Sequence, residues 1–178
     1  MELQLTPLEA YYVLRRIVEA ANGLAATLLN AEYGMEDEQK HQDNNSGSTT
    51  NQKTNREKLN EHWTFAPEKG NVLFVSAKDC WGTNALRFVN LYAQKWKGGI
   101  NRNVLLKYVF EEYCYNPTTK KLIKYDASVD MYDPANSWKK PLFVVMVLEP
   151  LWEMYTKCVI EKDFQGAAQY IKQEVSDC

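Results

Sequence analysis

The chain has 178 residues, a mass of 20.6 kDa, 45% hydrophobic and 12% aromatic residues, a net charge of -2 and a pI near 5.8. That is enough apolar material for one core with a polar stretch attached, and too little positive charge overall for a nucleic-acid grip, so we expect no direct nucleic-acid site. Cys80, Cys114, Cys158 and Cys178 are widely spaced and have no histidine at metal-ligand spacing, which reads as reduced thiols and no metal site. The start Met1-Glu2 is not a targeting leader, and the longest apolar run, Pro141 to Leu148, is too short to span a bilayer.

Thr6-Pro7-Leu8-Glu9 carries a capping box and a proline at the first helical position, so a helix begins there. Leu8, Tyr11, Leu14, Ile17, Val18, Ala21, Leu24, Ala25 and Leu28 recur at helical spacing and predict one buried face, with the helix ending before Gly34. From Gly34 to His62 the composition turns to Asn, Gln, Glu, Asp, Lys, Ser and Thr, which predicts a disordered insertion within a folded unit. His41 and His62 belong to that polar stretch and are poor candidates for catalysis or metal binding.

Leu73 to Ser76, between Gly70 and Gly82, is short and rich in β-branched or aromatic residues, as in a parallel strand covered on both faces. A ligand loop belongs at the carboxyl end of such a strand. The loop that follows, Ser76-Ala77-Lys78, has the form in which many GTPases close the pocket around a guanine base, through main-chain N-H groups donating to the guanine carbonyl. On the tripeptide alone the simpler reading of Lys78 is a solvated lysine after a strand. Asp79-Cys80-Trp81-Gly82 matches an Asp-x-x-Gly magnesium and phosphate motif, but no phosphate loop precedes it, so we read the match as coincidental.

Leu86, Val89, Leu91, Tyr92 and Trp96 predict a helix from about Asn84 to Lys97, and Val104, Leu105, Tyr108 and Val109 predict another. Tyr113 to Tyr125 reads as a hairpin around Asn116-Pro117. Leu142 to Ile160 reads as a helix bent at Pro150, and Ala167, Ala168, Tyr170, Ile171 and Val175 as a closing amphipathic helix. No Ser-His-Asp, Cys-His or paired-carboxylate arrangement stands out, so no catalytic residue is assigned.

Taken in order, these blocks resemble a continuous part of the translocase-type GTPases related to eukaryotic elongation factor two. Glu2 to Tyr11 is similar to the segment directly after that family's Asn-Lys-x-Asp motif, and Gly70 to Gly82 to its last nucleotide strand and loop. Val109 to Lys121 is similar to its Leu-Trp-Gly-Asp-x-Tyr-x-Asn-Pro-x-Thr-Lys-Lys block, although Phe110-Glu111-Glu112 stands where that family has Trp-Gly-Asp. Lys140 to Phe143 and Leu148 to Trp152 match the helix that follows. The Ser-Ala-Lys loop and the long polar insertion resemble the elongation factor-like branch that matures the large ribosomal subunit, more than the translating factor or its spliceosomal relative.

The resemblance implies an α/β fold: the C-terminal portion of a partial P-loop GTPase G domain, with a mostly helical inserted subdomain containing a β-hairpin. Residues 1–33 would be a G-domain helix, 34–62 the polar insertion, 63–97 the last strand, guanine loop and following helix, and 98–178 the inserted subdomain. It implies GTP as ligand, with Ser76, Ala77 and Lys78 as the cofactor-binding residues and the magnesium ligands lying outside these residues. It further implies a cytoplasmic GTP hydrolase acting on pre-60S ribosomal subunits with the Shwachman-Bodian-Diamond protein, releasing an anti-association factor. The phosphate loop, switches and Asn-Lys-x-Asp are absent, so the chain reads as a fragment inactive by itself. The alternative from another class is a stand-alone, non-catalytic α/β interaction module.

Overall fold

The computed structural model describes residues 5–40, 61–79, 81–96, 100–128, 136 and 138–176. Their arrangement divides the chain into two compact units, one of Met1–Val13 with Pro67–Cys178 and one of Leu14–Ala66. Helix α1, Pro7–Lys40, supplies residues to both.

The larger unit begins with the predicted cap. Thr6 donates from its backbone N-H and its hydroxyl to the Glu9 carboxylate, both at 2.8 Å, and these bonds hold that carboxyl below its usual pKa. The helix turn that follows delivers Tyr11, which is fully buried, into an aromatic cluster. The Phe110 ring meets Tyr11 edge-on at 5.8 Å, and Phe143 lies 4.8 Å from Phe74 and 4.9 Å from Phe110. Such rings bury large apolar areas while keeping their preferred tilted geometry. The Tyr11 hydroxyl donates to the Phe110 carbonyl at 3.1 Å, so the polar end of this buried ring has a partner.

Strand β1, Phe74–Ser76, pairs antiparallel with β2, Trp81–Thr83, in the register Phe74 with Thr83, Val75 with Gly82 and Ser76 with Trp81. This corrects the expectation of a parallel strand covered on both faces. Only Phe74 is buried, while Leu73 and Val75 are 66% and 68% exposed. Alternation is the reason: once Phe74 points into the aromatic cluster, both neighbours point away from it. Gly70, at φ +75°, sets the approach to the strand, because a Cβ there would come 2.8 Å from Leu86 Cδ1.

Helix α2, Ala85–Lys95, is capped by the Asn84 side chain, which accepts from the Arg87 N-H at 3.1 Å. It presents Ala85, Val89 and Tyr92 to the core. Helix α3, Arg102–Tyr108, is capped by Asn101 and buries Leu105. The predicted hairpin is present as β3, Tyr113–Asn116, and β4, Lys121–Lys124, paired antiparallel.

The helical run expected from Leu142 to Ile160 is present, but Pro150 does more than bend it. The turn Val144–Leu148 is a π-helix, followed by α4, Glu149–Tyr155, and a second π turn, Thr156–Ile160. Proline has no N-H and its ring crowds the carbonyl four residues back, so the preceding turn widens. The Glu149 N-H then donates to the Val144 carbonyl, and the Val145 carbonyl accepts from the Tyr92 hydroxyl at 3.5 Å. Trp152 Nε1 donates to the Leu5 carbonyl at 2.9 Å, tying this helix to the segment before α1. Helix α5, Phe164–Ser176, is the expected closing helix.

The smaller unit contains most of α1. The helix does not end before Gly34 but runs to Lys40, because Met35 to Lys40 are helix-compatible and one glycine costs only about 1 kcal/mol. Of the predicted apolar face, Ile17, Leu24 and Leu28 are 60% to 71% exposed, which corrects the expectation of a continuously covered stripe. The Asn22 amide clamps the Phe65 backbone, accepting from its N-H at 2.7 Å and donating to its carbonyl at 2.8 Å. Residues 41–60 of the expected insertion, with His41, lie outside the described residues. No helix among the described residues is long and apolar enough to cross a membrane.

Candidate functional site

The sequence places the candidate guanine loop where β1 turns toward β2. Ser76 is the last residue of β1, and Ala77, Lys78 and Asp79 form the exposed turn. The Ser76 hydroxyl donates to Asp79 Oδ2 at 2.6 Å and accepts from the Asp79 N-H at 3.3 Å. One side chain thus pins both the carboxylate and the backbone three residues ahead, which fixes the turn locally. The charged acceptor makes this a strong hydrogen bond. Ser76, Ala77 and Lys78 are therefore held together as one contiguous, solvent-facing loop.

The same geometry bears on Asp79-x-x-Gly82. Asp79 is engaged by Ser76, and Gly82 sits in β2 opposite Val75, so the two form a hairpin. Gly82 has a packing reason of its own: a Cβ there would stand 3.1 Å from Val75 Cγ1.

Beside the loop lies an open groove of about 310 Å³, lined by Leu73, Val75, Gly82, Thr83, Asn84 and Arg87. Its walls are the outward side chains of the hairpin and the first turn of α2. Ser76, Ala77 and Lys78 are not among its lining residues. The sequence reading did not single out this groove. Its signal was the pair Leu73 and Val75, whose alternation with Phe74 is that of a half-buried strand.

His62 is exposed, and no group of three or more His, Cys, Asp or Glu among the described residues could hold a metal. Burial pushes the Cys114 thiol above its ordinary pKa, so it stays protonated at neutral pH. Tyr125 is shifted strongly upward, first by burial and then by its hydrogen bond with Tyr12, as befits a packed phenol.

No family model matches the chain. It is 37% identical over 171 residues, 92% of its length, to a human protein named elongation factor-like GTPase 1. It is 31% identical over 175 residues, 96% of its length, to ribosome assembly protein 1 of Saccharomyces cerevisiae. To the protein of that name in Schizosaccharomyces pombe it is 30% identical over 172 residues, again 96% of its length. The chain spans only 14% to 15% of the length of these relatives. Over nearly its whole length the chain is therefore homologous to one stretch of proteins named elongation factor-like GTPase 1 and ribosome assembly protein 1.

Proposed function

We propose that this chain is a segment of a GTP-binding and GTP-hydrolysing ribosome biogenesis factor, and that Ser76, Ala77 and Lys78 form its guanine loop. The observation that carries the reading is the turn held by Ser76 and Asp79, within a sequence that aligns over 92% or more of its length with proteins named GTPase or ribosome assembly protein. In the intact protein the Ala77 N-H donates to the guanine carbonyl, Ser76 holds the loop in shape, and the Lys78 stem packs near the base. Selection of guanine over adenine follows from the carbonyl that adenine lacks.

On this reading residues 1–33 and 63–97 belong to the G domain, 34–62 form an insertion, and 98–178 form the inserted subdomain with its hairpin. The intact protein works in the cytoplasm on pre-60S particles with other maturation factors, and its GTP hydrolysis releases an anti-association factor. GTP and magnesium are held largely by residues outside this stretch. The purified 178-residue chain should therefore show no saturable GTP binding in the micromolar range and no turnover. Isothermal titration with magnesium GTP checks this, and micromolar affinity or measurable phosphate release contradicts the segment reading.

A further inference from the structure

The nine residues 116–124 read Asn-Pro-Thr-Thr-Lys-Lys-Leu-Ile-Lys, with three lysines and no carboxylate, in a chain whose net charge is -2. They form the tip of the β3–β4 hairpin, which overall composition hides. The tip is fixed in shape. Asn116 Oδ1 accepts from the N-H groups of Thr118 at 2.9 Å and Thr119 at 3.1 Å, closing a four-residue loop whose last residue, Lys120, sits at φ 52°. Pro117 to Lys121 and Lys124 are all exposed. Lys120, Lys121 and Lys124 make no ion pair among the described residues.

The strand register distributes these charges. Lys121 stands opposite Asn116 on one face of the ribbon, and Lys124 stands opposite Tyr113 on the other. The Tyr113 ring lies 4.4 Å from that of Tyr108, and the Lys107 ammonium lies 5.4 Å from the Tyr108 ring. Lys107 thus lies over a ring that packs against Tyr113, on the Lys124 face of the ribbon. The result is a hairpin tip with lysines on both faces of the ribbon and exposed threonines at its turn.

A polyanion is the complementary partner, and two classes of macromolecule supply one. The buried core of a protein interface is more apolar than its rim and depleted of lysine, whereas this tip carries three lysines and Ile123, 37% exposed, as its sole large exposed hydrophobe. A phosphate backbone needs only cations and hydrogen-bond donors, which the lysines and the Thr118 and Thr119 hydroxyls provide. We propose that the β3–β4 tip binds the phosphate backbone of RNA, with Lys120, Lys121 and Lys124 as its principal contacts and Lys107 flanking them. The choice of RNA among nucleic acids rests on the ribosome-assembly reading above; the preference for phosphate over an acidic protein does not.

The test is fluorescence anisotropy of the purified 178-residue chain with a labelled RNA stem-loop, in potassium chloride from about 50 to 200 mM. No nucleotide is added, so a failure of the guanine-loop reading leaves the result unaffected. Binding should weaken steeply with salt. The triple variant K120Q/K121Q/K124Q should bind at least about tenfold more weakly at the low-salt end, with a log-log salt slope lower by about three. The K162Q/K172Q variant, altered at exposed lysines elsewhere, should bind like the unaltered chain. Retained thermal melting shows that the triple variant is folded, and the single variant K124Q, reduced by a proportionate share, gives a second reading. Equal binding by the triple variant and the unaltered chain overturns the proposal. So does an absence of RNA binding at low salt, or tip-dependent binding of polyglutamate without RNA binding, which would point to an acidic protein partner.

Discussion

Tyr11 shows how one residue can define a core. It is fully buried, its ring contacts Phe110, and its hydroxyl satisfies the Phe110 carbonyl. Tyr11→Phe keeps the ring and removes the donor, leaving a buried carbonyl with one partner fewer. Net hydrogen-bond energies of this kind imply a loss of about 1 kcal/mol, measurable as a lower urea midpoint with an unchanged m-value. The Ser76 hydroxyl plays a comparable part in the exposed turn, where it serves both the carboxylate and the N-H of Asp79. Residue-level signals of this type were partly legible. The Thr6 to Glu9 capping box was visible as a pattern and is present as three hydrogen bonds. The Ser76 to Asp79 link was not, because Asp79 was weighed only as part of a magnesium motif. Tyr11 was read as a helix-face residue, and nothing local revealed that Phe110, 99 positions away, would receive its hydroxyl.

At the scale of elements, local chemistry predicted existence better than environment. The hairpin at Tyr113 to Tyr125 was readable because its turn residues and its alternating arms agree. Helix α2 was readable from its periodicity, whereas the Asn84 cap emerges only from the structure. Asn84→Ala leaves the Arg87 N-H without its acceptor and should cost about 1 kcal/mol, seen as a drop in thermal midpoint. The same change removes a wall of the groove beside the loop. The β1 environment was misread because a short apolar run has no period long enough to separate a fully covered strand from a half-covered one. Only the tertiary placement of Phe74 decides which neighbours face outward. The π turns around α4 were also beyond sequence reading: proline marks a disturbed helix, but whether the chain kinks or widens depends on what can receive the freed carbonyl. Here the Tyr92 hydroxyl donates to the Val145 carbonyl.

For the molecule as a whole, sequence kinship and biochemical role stand apart. Alignment over 92% of the chain with a relative of which it covers 14% establishes kinship for one stretch. The role of that stretch depends on whether the Ser76-Ala77-Lys78 turn serves a nucleotide completed by residues elsewhere. The turn is already shaped by Ser76 and Asp79, so the account asks the rest of such a protein to supply phosphate and metal contacts, not to build the loop. The most direct test exchanges the matched stretch of the Saccharomyces cerevisiae protein for this chain and measures GTP and ATP affinity, with and without Ala77→Pro. The exchanged protein should bind GTP, and removing the Ala77 N-H should weaken GTP binding about tenfold, the worth of one hydrogen bond, while ATP affinity stays unchanged. GTP affinity and guanine preference unaltered by Ala77→Pro in the folded exchange protein would contradict the account.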